Sequence, residues 1–339
     1  MTRTGYRMPA EWEPHEATWL AWPHEESDWP GKFEPIRWVY GEIARHLSTV
    51  ERVRLLTPDK SAQADAKRVF RKSGVDMSAV DFYVCPTDRS WTRDFAPIFV
   101  RDGDGRVIAS NWKFNGWAKY RNHKRDNAVP DFISSKLRIP QVKLEEIVLE
   151  GGSIDVNGEG LMLTTEECLL SPVQERNPGL GRLEMEAIFH HFLGIRRVIW
   201  LNRGIAGDDT HGHVDDLTRF VNRNTVVTMT EPDQAEENHE PLLENSRLLR
   251  RQTDLRVVEI PMPRPVYFNG QRLPASYANF YIANDLVLVP VFNDPGDARA
   301  LTTLERLFPQ RKVVPIYCRD FVLGLGTLHC CTQQQPACE

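Results

Sequence analysis

The chain has 339 residues, 41% hydrophobic and 26% charged, with a formal net charge of −5 at neutral pH. That is apolar material for a sizeable core, without the basic excess that collects nucleic-acid phosphates. No run approaches the ~20 apolar residues that span a bilayer, and residues 1–9 lack the apolar stretch of a secretory signal, so neither nucleic acid nor membrane is expected as a partner and the expected address is the cytoplasm.

Ile36, Val39, Tyr40, Ile43 and Leu47 recur at helical spacing and predict the first amphipathic helix. A strand is predicted over 52–57, a helix over 61–73, then strands over 80–85, 97–100 and 106–111. A helix over 182–193 leads to strands over 198–201 and 224–230, and a helix over 236–252 to a strand over 256–260. Strands over 280–283 and 286–291, a helix over 297–308 and a strand over 312–317 complete the pattern. Asp294-Pro295 reads as the start of that last helix, with the carboxylate as cap and proline tolerated in the first turn. Strands outnumber what a doubly wound alternation needs, and no Ser/Gly/Pro-rich linker divides the chain. The expectation is one mixed α/β domain over 1–339, and a repeated ββαβ unit would employ the spare strands.

Six irregularly spaced cysteines, Cys85, Cys168, Cys318, Cys330, Cys331 and Cys338, read as reduced thiols rather than a disulfide framework. Four segments carry candidate chemistry. Trp91-Thr92-Arg93-Asp94 and Glu150-Gly151-Gly152-Ser153 each put an acid beside an aromatic or flexible backbone. If 209–215 runs extended, Asp209, His211, His213 and Asp215 share one face. Cys330 follows the glycine-containing turn Gly324-Leu325-Gly326-Thr327-Leu328-His329. Each has a plainer reading: a local surface ion pair, a Gly-Gly turn, a polar strand edge, an inert buried cysteine. His211-Gly212-His213 with a nearby carboxylate also resembles zinc ligation, whereas neither the dinucleotide glycine pattern nor the phosphate-loop pattern is present. Taken together, a thiol, a histidine and several carboxylates suit a guanidinium. Its planar fork pairs with acids on opposite sides and presents its carbon to the sulfur, and no metal or cofactor is needed.

Met8-Pro9-Ala10-Glu11-Trp12-Glu13-Pro14-His15-Glu16, Trp91-Thr92-Arg93-Asp94, Glu150-Gly151-Gly152-Ser153-Ile154, Thr164-Thr165-Glu166-Glu167-Cys168-Leu169-Leu170, Gly212-His213-Val214-Asp215, the segment 276–284 and His329-Cys330-Cys331-Thr332-Gln333-Gln334 are similar to the agmatine deiminase family, within the bacterial-type peptidylarginine deiminase group. The resemblance runs in order from residue 8 to 336. It implies a pentein fold, an α/β-propeller of five ββαβ units about a pseudo-fivefold axis. It also implies Cys330 as nucleophile, His213 as general acid/base, Asp94 and Asp215 as the guanidinium clamp, and Glu150 orienting His213. Trp91, Trp117 and Asp209, with Tyr277, are candidates for the substrate tail, and Cys331 is assigned no role. Implied too are a small cationic guanidino substrate, most simply agmatine, and a homodimer. The alternatives are another guanidino compound, peptidyl-arginine, or a zinc hydrolase built on His211 and His213. His211, Leu325 and Thr327 depart from the family's usual residues, which bears on the substrate tail more than on the chemistry.

Overall fold

The computed structural model describes residues 5–338; the ends of the expected domain, 1–4 and 339, lie outside the described residues. The chain runs β1 (His15–Ala21), α1 (Phe33–Leu47), β2 (Arg52–Thr57), α2 (Lys60–Lys72), β3 (Val80–Val84), α3 (Thr92–Phe95), β4 (Ile98–Arg101), β5 (Val107–Lys113), α4 (Val129–Leu137), β6 (Gln141–Val148), β7 (Asp155–Val156), β8 (Leu161–Thr165), α5 (Glu166–Leu170), α6 (Arg182–Leu193) and β9 (Arg197–Leu201). It continues with β10 (Thr218–Asn222), β11 (Thr225–Thr230), α7 (His239–Arg250), β12 (Arg256–Pro261), a hairpin of β13 (Val266–Phe268) and β14 (Gln271–Leu273), β15 (Tyr281–Ile282), β16 (Leu286–Val291), α8 (Asp297–Leu307), β17 (Lys312–Tyr317) and β18 (Gln333–Pro336).

One pairing pattern recurs five times. A short strand pairs antiparallel with the next, which pairs parallel with a third after a helical crossover: β4-β5-β6, β7-β8-β9, β10-β11-β12, β15-β16-β17 and β18-β1-β2. The last set joins the two ends of the chain and gains β3 as a further parallel strand. Burial grades across each sheet. The first strands β4, β7, β15 and β18 are wholly buried, and so are β8 and nearly all of β5, β11 and β16, whereas β3, β6, β12 and β17 are largely open. Strands buried on both faces read as continuous apolar runs, as Leu286–Val291 does.

The helices form for the reasons visible in their sequences. On α1, Ile36, Tyr40, Ile43 and Leu47 are buried, and each aliphatic side chain so placed stabilises by about 1.5–3 kcal/mol. Asp59 caps α2 by accepting from the Ala62 amide at 2.8 Å. Gly194 ends α6 at φ 71°, where a Cβ would come within 2.2 Å of the Tyr6 carbonyl oxygen.

Most predicted elements are present with ends shifted by a residue or a few. The strand expected over 280–283 shrinks to β15, and β1, β6, β7, β8, β10, β13, β14, β18, α3, α4 and α5 are additions to the predicted elements. The last helix starts at Asp297 with Gly296 as its cap residue, while Asp294 accepts the Gly296 amide through Oδ1 at 2.8 Å and Arg264 through Oδ2. Among the described residues no helix is long and apolar enough to cross a membrane.

Candidate active site

The short buried strand that opens each of the five sheets is preceded by a turn that delivers polar groups to one place. Asp94 lies in α3 ahead of β4, and Glu150 with the 3-10 turn Gly151–Ser153 ahead of β7. His213 and the 3-10 turn Val214–Asp216 precede β10, Asn279 precedes β15, and Cys330 precedes β18. The turns are tied to one another. Gly152 donates its amide to Asp94 Oδ1 at 3.0 Å, Asn279 Nδ2 donates to Asp216 Oδ1 at 3.0 Å, and the Arg93 amide donates to the Cys330 carbonyl at 3.1 Å. Gly152 marks the point of convergence: a Cβ there would stand 2.6 Å from His213 Nδ1, 2.8 Å from Asp94 Oδ1 and 3.0 Å from Asp215 Oδ2. Only glycine leaves that space open.

The Cys330 sulfur accepts from Asn279 Nδ2 at 3.1 Å and lies 3.7 Å from Asp215 Oδ2. Burial, reinforced by the charges of Asp215, Asp216 and Asp94, pushes the thiol well above its ordinary pKa, so the free protein holds it protonated at neutral pH. A cation inserted among those acids acts in the opposite sense.

His213 is fully buried, and neither ring nitrogen has a hydrogen-bond partner among the described residues. Asp94 and Asp215 stand 3.8 and 4.0 Å from Nδ1, and Glu150 3.8 Å from Nε2, at ion-pair rather than hydrogen-bond distance. Burial opposes the imidazolium, but Asp94, Cys168 and Glu150 outweigh it and hold the His213 pKa well above the usual value. Glu150, likewise buried, is kept ionised down to about 2 against burial by Arg176, whose Nε donates to Oε1 at 2.9 Å. Asp94 is raised to about 6 by burial, with Asp215 and Glu150 adding to it, and receives the Trp117 indole N–H at 2.9 Å. Asp215 is lowered despite burial by its 2.7 Å contact with His329 Nδ1.

A cavity of about 280 Å³ is lined by Cys330 and Asp94 together with Trp91, Trp117, Tyr120 and Asp209. Trp91, Trp117 and Asp209 therefore face the same cavity as Cys330 and Asp94. Tyr277 does not: it packs on Phe292 and donates its hydroxyl to Asp297 at 2.8 Å. The extended reading of 209–215 also fails. His211 is left-handed at φ 64° and Gly212 at φ 95°, and Asp208 Oδ2 gathers the amides of Gly212 and His213 at 2.7 and 3.1 Å. His211 turns to Ser171 and Glu167, so the paired-histidine zinc set is not assembled. Metal-compatible groupings instead join Glu150, Cys168 and His213, and Asp215, Asp216 and Cys330, each within 4.8 Å; both would consume the atoms a guanidine needs. Cys331 is buried, with its sulfur on the Leu328 carbonyl.

Several organising residues are assigned no role by the sequence, although Glu11 and Asn279 lie in segments that carry the family resemblance. Asn279 Oδ1 accepts from Thr327 Oγ1 and the His329 amide at 2.8 and 3.0 Å, which shapes the turn beneath the thiol. Glu11 accepts from His329 Nε2 at 2.7 Å and pairs with Arg219 and Arg93 at 3.0 and 3.3 Å, completing a buried chain behind Asp215. Arg176 behind Glu150 belongs with them. Asn, Glu and Arg are commonplace residues, and only partners distant in the chain give these their roles.

The sequence profile described as Porphyromonas-type peptidyl-arginine deiminase matches residues 7–336. The agmatine deiminase of Pseudomonas aeruginosa (strain LESB58) is 34% identical over 361 aligned residues, covering 98% of this chain and 96% of that protein, and that of Ectopseudomonas mendocina is 35% identical with the same coverage. A C. jejuni agmatine deiminase bearing a cysteine-to-serine change, solved with substrate bound, superposes with a TM-score of 0.90 at 33% identity, over 97% of this chain and 96% of that one. An amidinotransferase from Microseira wollei, 12% identical, shares the fold at a TM-score of 0.53 over 98% of each chain.

Proposed function

The chain belongs to the Porphyromonas-type peptidyl-arginine deiminase family, and from that membership, its agmatine deiminase relatives and the site geometry we infer that it is an agmatine deiminase, hydrolysing agmatine to N-carbamoylputrescine and ammonia. The observation that carries this reading is the meeting of Asp94, Asp215 and His213 around Gly152, with the Cys330 sulfur 3.7 Å from Asp215. Two carboxylates there suit a planar cation, and a thiol beside them suits attack on its carbon.

The guanidinium enters between Asp94 and Asp215. Its charge offsets theirs, and the Cys330 thiol releases its proton. The thiolate attacks the guanidinium carbon, and protonated His213 gives its proton to one departing nitrogen, which leaves as ammonia. What remains is a thiouronium on Cys330. Neutral His213 then takes a proton from water, the resulting hydroxide adds to the same carbon, and collapse to the urea carbonyl expels sulfur, which recovers its proton from the adduct's hydroxyl. The proton lost on binding and the ammonia together account for the ammonium formed. Glu150, held ionised by Arg176, orients His213 and supports its charge. Trp91, Trp117 and Asp209 flank the tail, and no metal or cofactor takes part.

Residues 1–339 form a single catalytic domain in this reading, a pentein in which the five ββαβ sets surround the site about a pseudo-fivefold axis. The ties between neighbouring lead-in turns and the pairing of β18 with β1 support it. The homodimer and the cytoplasmic address expected from the sequence belong to the same proposal.

Assaying formation of the ureido product from agmatine, free arginine and arginyl peptides tests the assignment. Agmatine is expected to be turned over with the highest kcat/KM; turnover confined to peptides would overturn it.

A further inference from the structure

Asp209 sits in the cavity lining with both carboxylate oxygens already engaged. Lys119 forms an ion pair with Oδ1, and Tyr120 donates its hydroxyl to Oδ2 at 2.6 Å. The Lys119 ammonium is the same chemical group that ends an aminoalkylguanidine, so one carboxylate has two claimants. Their footing differs. The Lys119 side chain is 43% exposed and Asp209 only 17%, and an exposed lysine moves into water at little cost. Asp209 is held in place. Tyr120 lies under the Arg89 guanidinium at 4.2 Å and against Trp117, while Gln174 Nε2 donates to the carbonyls of both Asp209 and Trp117 at 3.2 and 3.1 Å. The carboxylate keeps its position when the lysine leaves.

The turn that carries Lys119 also reaches the other end of the site. Trp117 and Ala118 are both left-handed, at φ 58° and 53°, a conformation that is costly for residues other than glycine. Asn115 Oδ1 stabilises the turn by accepting the Ala118 amide at 2.9 Å. In that conformation the indole N–H of Trp117 meets Asp94 and the ammonium of Lys119 meets Asp209.

We propose that Lys119 is a specificity-determining residue, an internal counter-ion that occupies Asp209 until the terminal ammonium of an aminoalkylguanidine displaces it. The proposal rests on the deiminase reading above. A tail cation must compete with Lys119, so its advantage over a neutral tail is smaller than Asp209 alone would confer.

The test compares KM for agmatine and for n-butylguanidine, which has a neutral tail, in the full-length protein and its Lys119→Met variant. The ratio of KM for agmatine to KM for butylguanidine is expected to fall about two- to fivefold in Lys119→Met, the scale of an exposed ion pair. In an Asp209→Asn background the same substitution is expected to leave the ratio where it was. An unchanged or higher ratio in Lys119→Met, with both compounds turned over, overturns the role of Lys119 and leaves the deiminase reading standing. Turnover of neither compound by the unmodified protein overturns both.

Discussion

At Cys330 the carboxylates that would hold the substrate also suppress the thiol. Asp94 and Asp215 favour a cation between them, yet with Asp216 they add to burial in raising the Cys330 pKa, so binding and activation are coupled through the same charges. Of the two clamp acids, Asp94 is the one that burial raises, to about 6, whereas Asp215 is lowered. Below that value it binds a proton and its half of the clamp loses its charge, so kcat/KM should fall as pH drops through about 6, by up to about tenfold per pH unit. In Asp94→Asn the overall rate should be lower and this acid limb absent; a limb of the same midpoint in that variant would assign the titration elsewhere. The candidate roles of Cys330, His213, Asp94, Asp215 and Glu150 were legible in the sequence because each sits in a compact motif of reactive types. Those of Asn279 and Glu11 were not. Both lie in segments that carry the family resemblance, but their roles come from bonds between residues as far apart as Glu11 and His329.

The elements that matter most are the turns ahead of the first strand of each sheet. The backbone of the Gly151–Ser153 turn passes so close to His213, Asp94 and Asp215 that a single methyl at position 152 falls within 3.0 Å of all three. Gly152→Ala should therefore reduce kcat/KM by about 10²-fold or more through displaced catalytic groups, while circular dichroism shows the fold retained. Near-normal activity in that variant would mean the groups do not converge there during catalysis. Turn geometry is also where sequence periodicity misled. Asp209, His211, His213 and Asp215 would share one face only if 209–215 ran extended, but left-handed backbone at His211 and Gly212 breaks the two-residue period and sends the two histidines apart. Strands such as β1, with Glu16 and two alanines, and β18, three glutamines and a proline, lack the β-branched runs that announce a strand. Their pairing with distant segments makes them.

Across the whole molecule, the five-fold recurrence of one pairing pattern was invisible in residue identities, because packing asks only for apolar alternation and tolerates many sequences. What unifies the chain is closure: β18 pairs with β1, Gln334 of β18 accepts from Arg93 at 2.6 Å, and the Arg93 amide donates to the Cys330 carbonyl, placing Cys330 against the turn that carries Asp94. Cys330, near the C-terminal end, and Asp94, in the first third of the chain, thus face one cavity. In the proposed mechanism a covalent bond forms between Cys330 and the guanidine carbon. Acid-quenching the protein during turnover of agmatine, measuring its intact mass and mapping its peptides detects that bond. The predicted result is a transient gain equal to agmatine less ammonia, carried by the peptide containing Cys330 and absent in Cys330→Ser together with turnover. Turnover that persists in Cys330→Ser, or an adduct on any other residue, would contradict it.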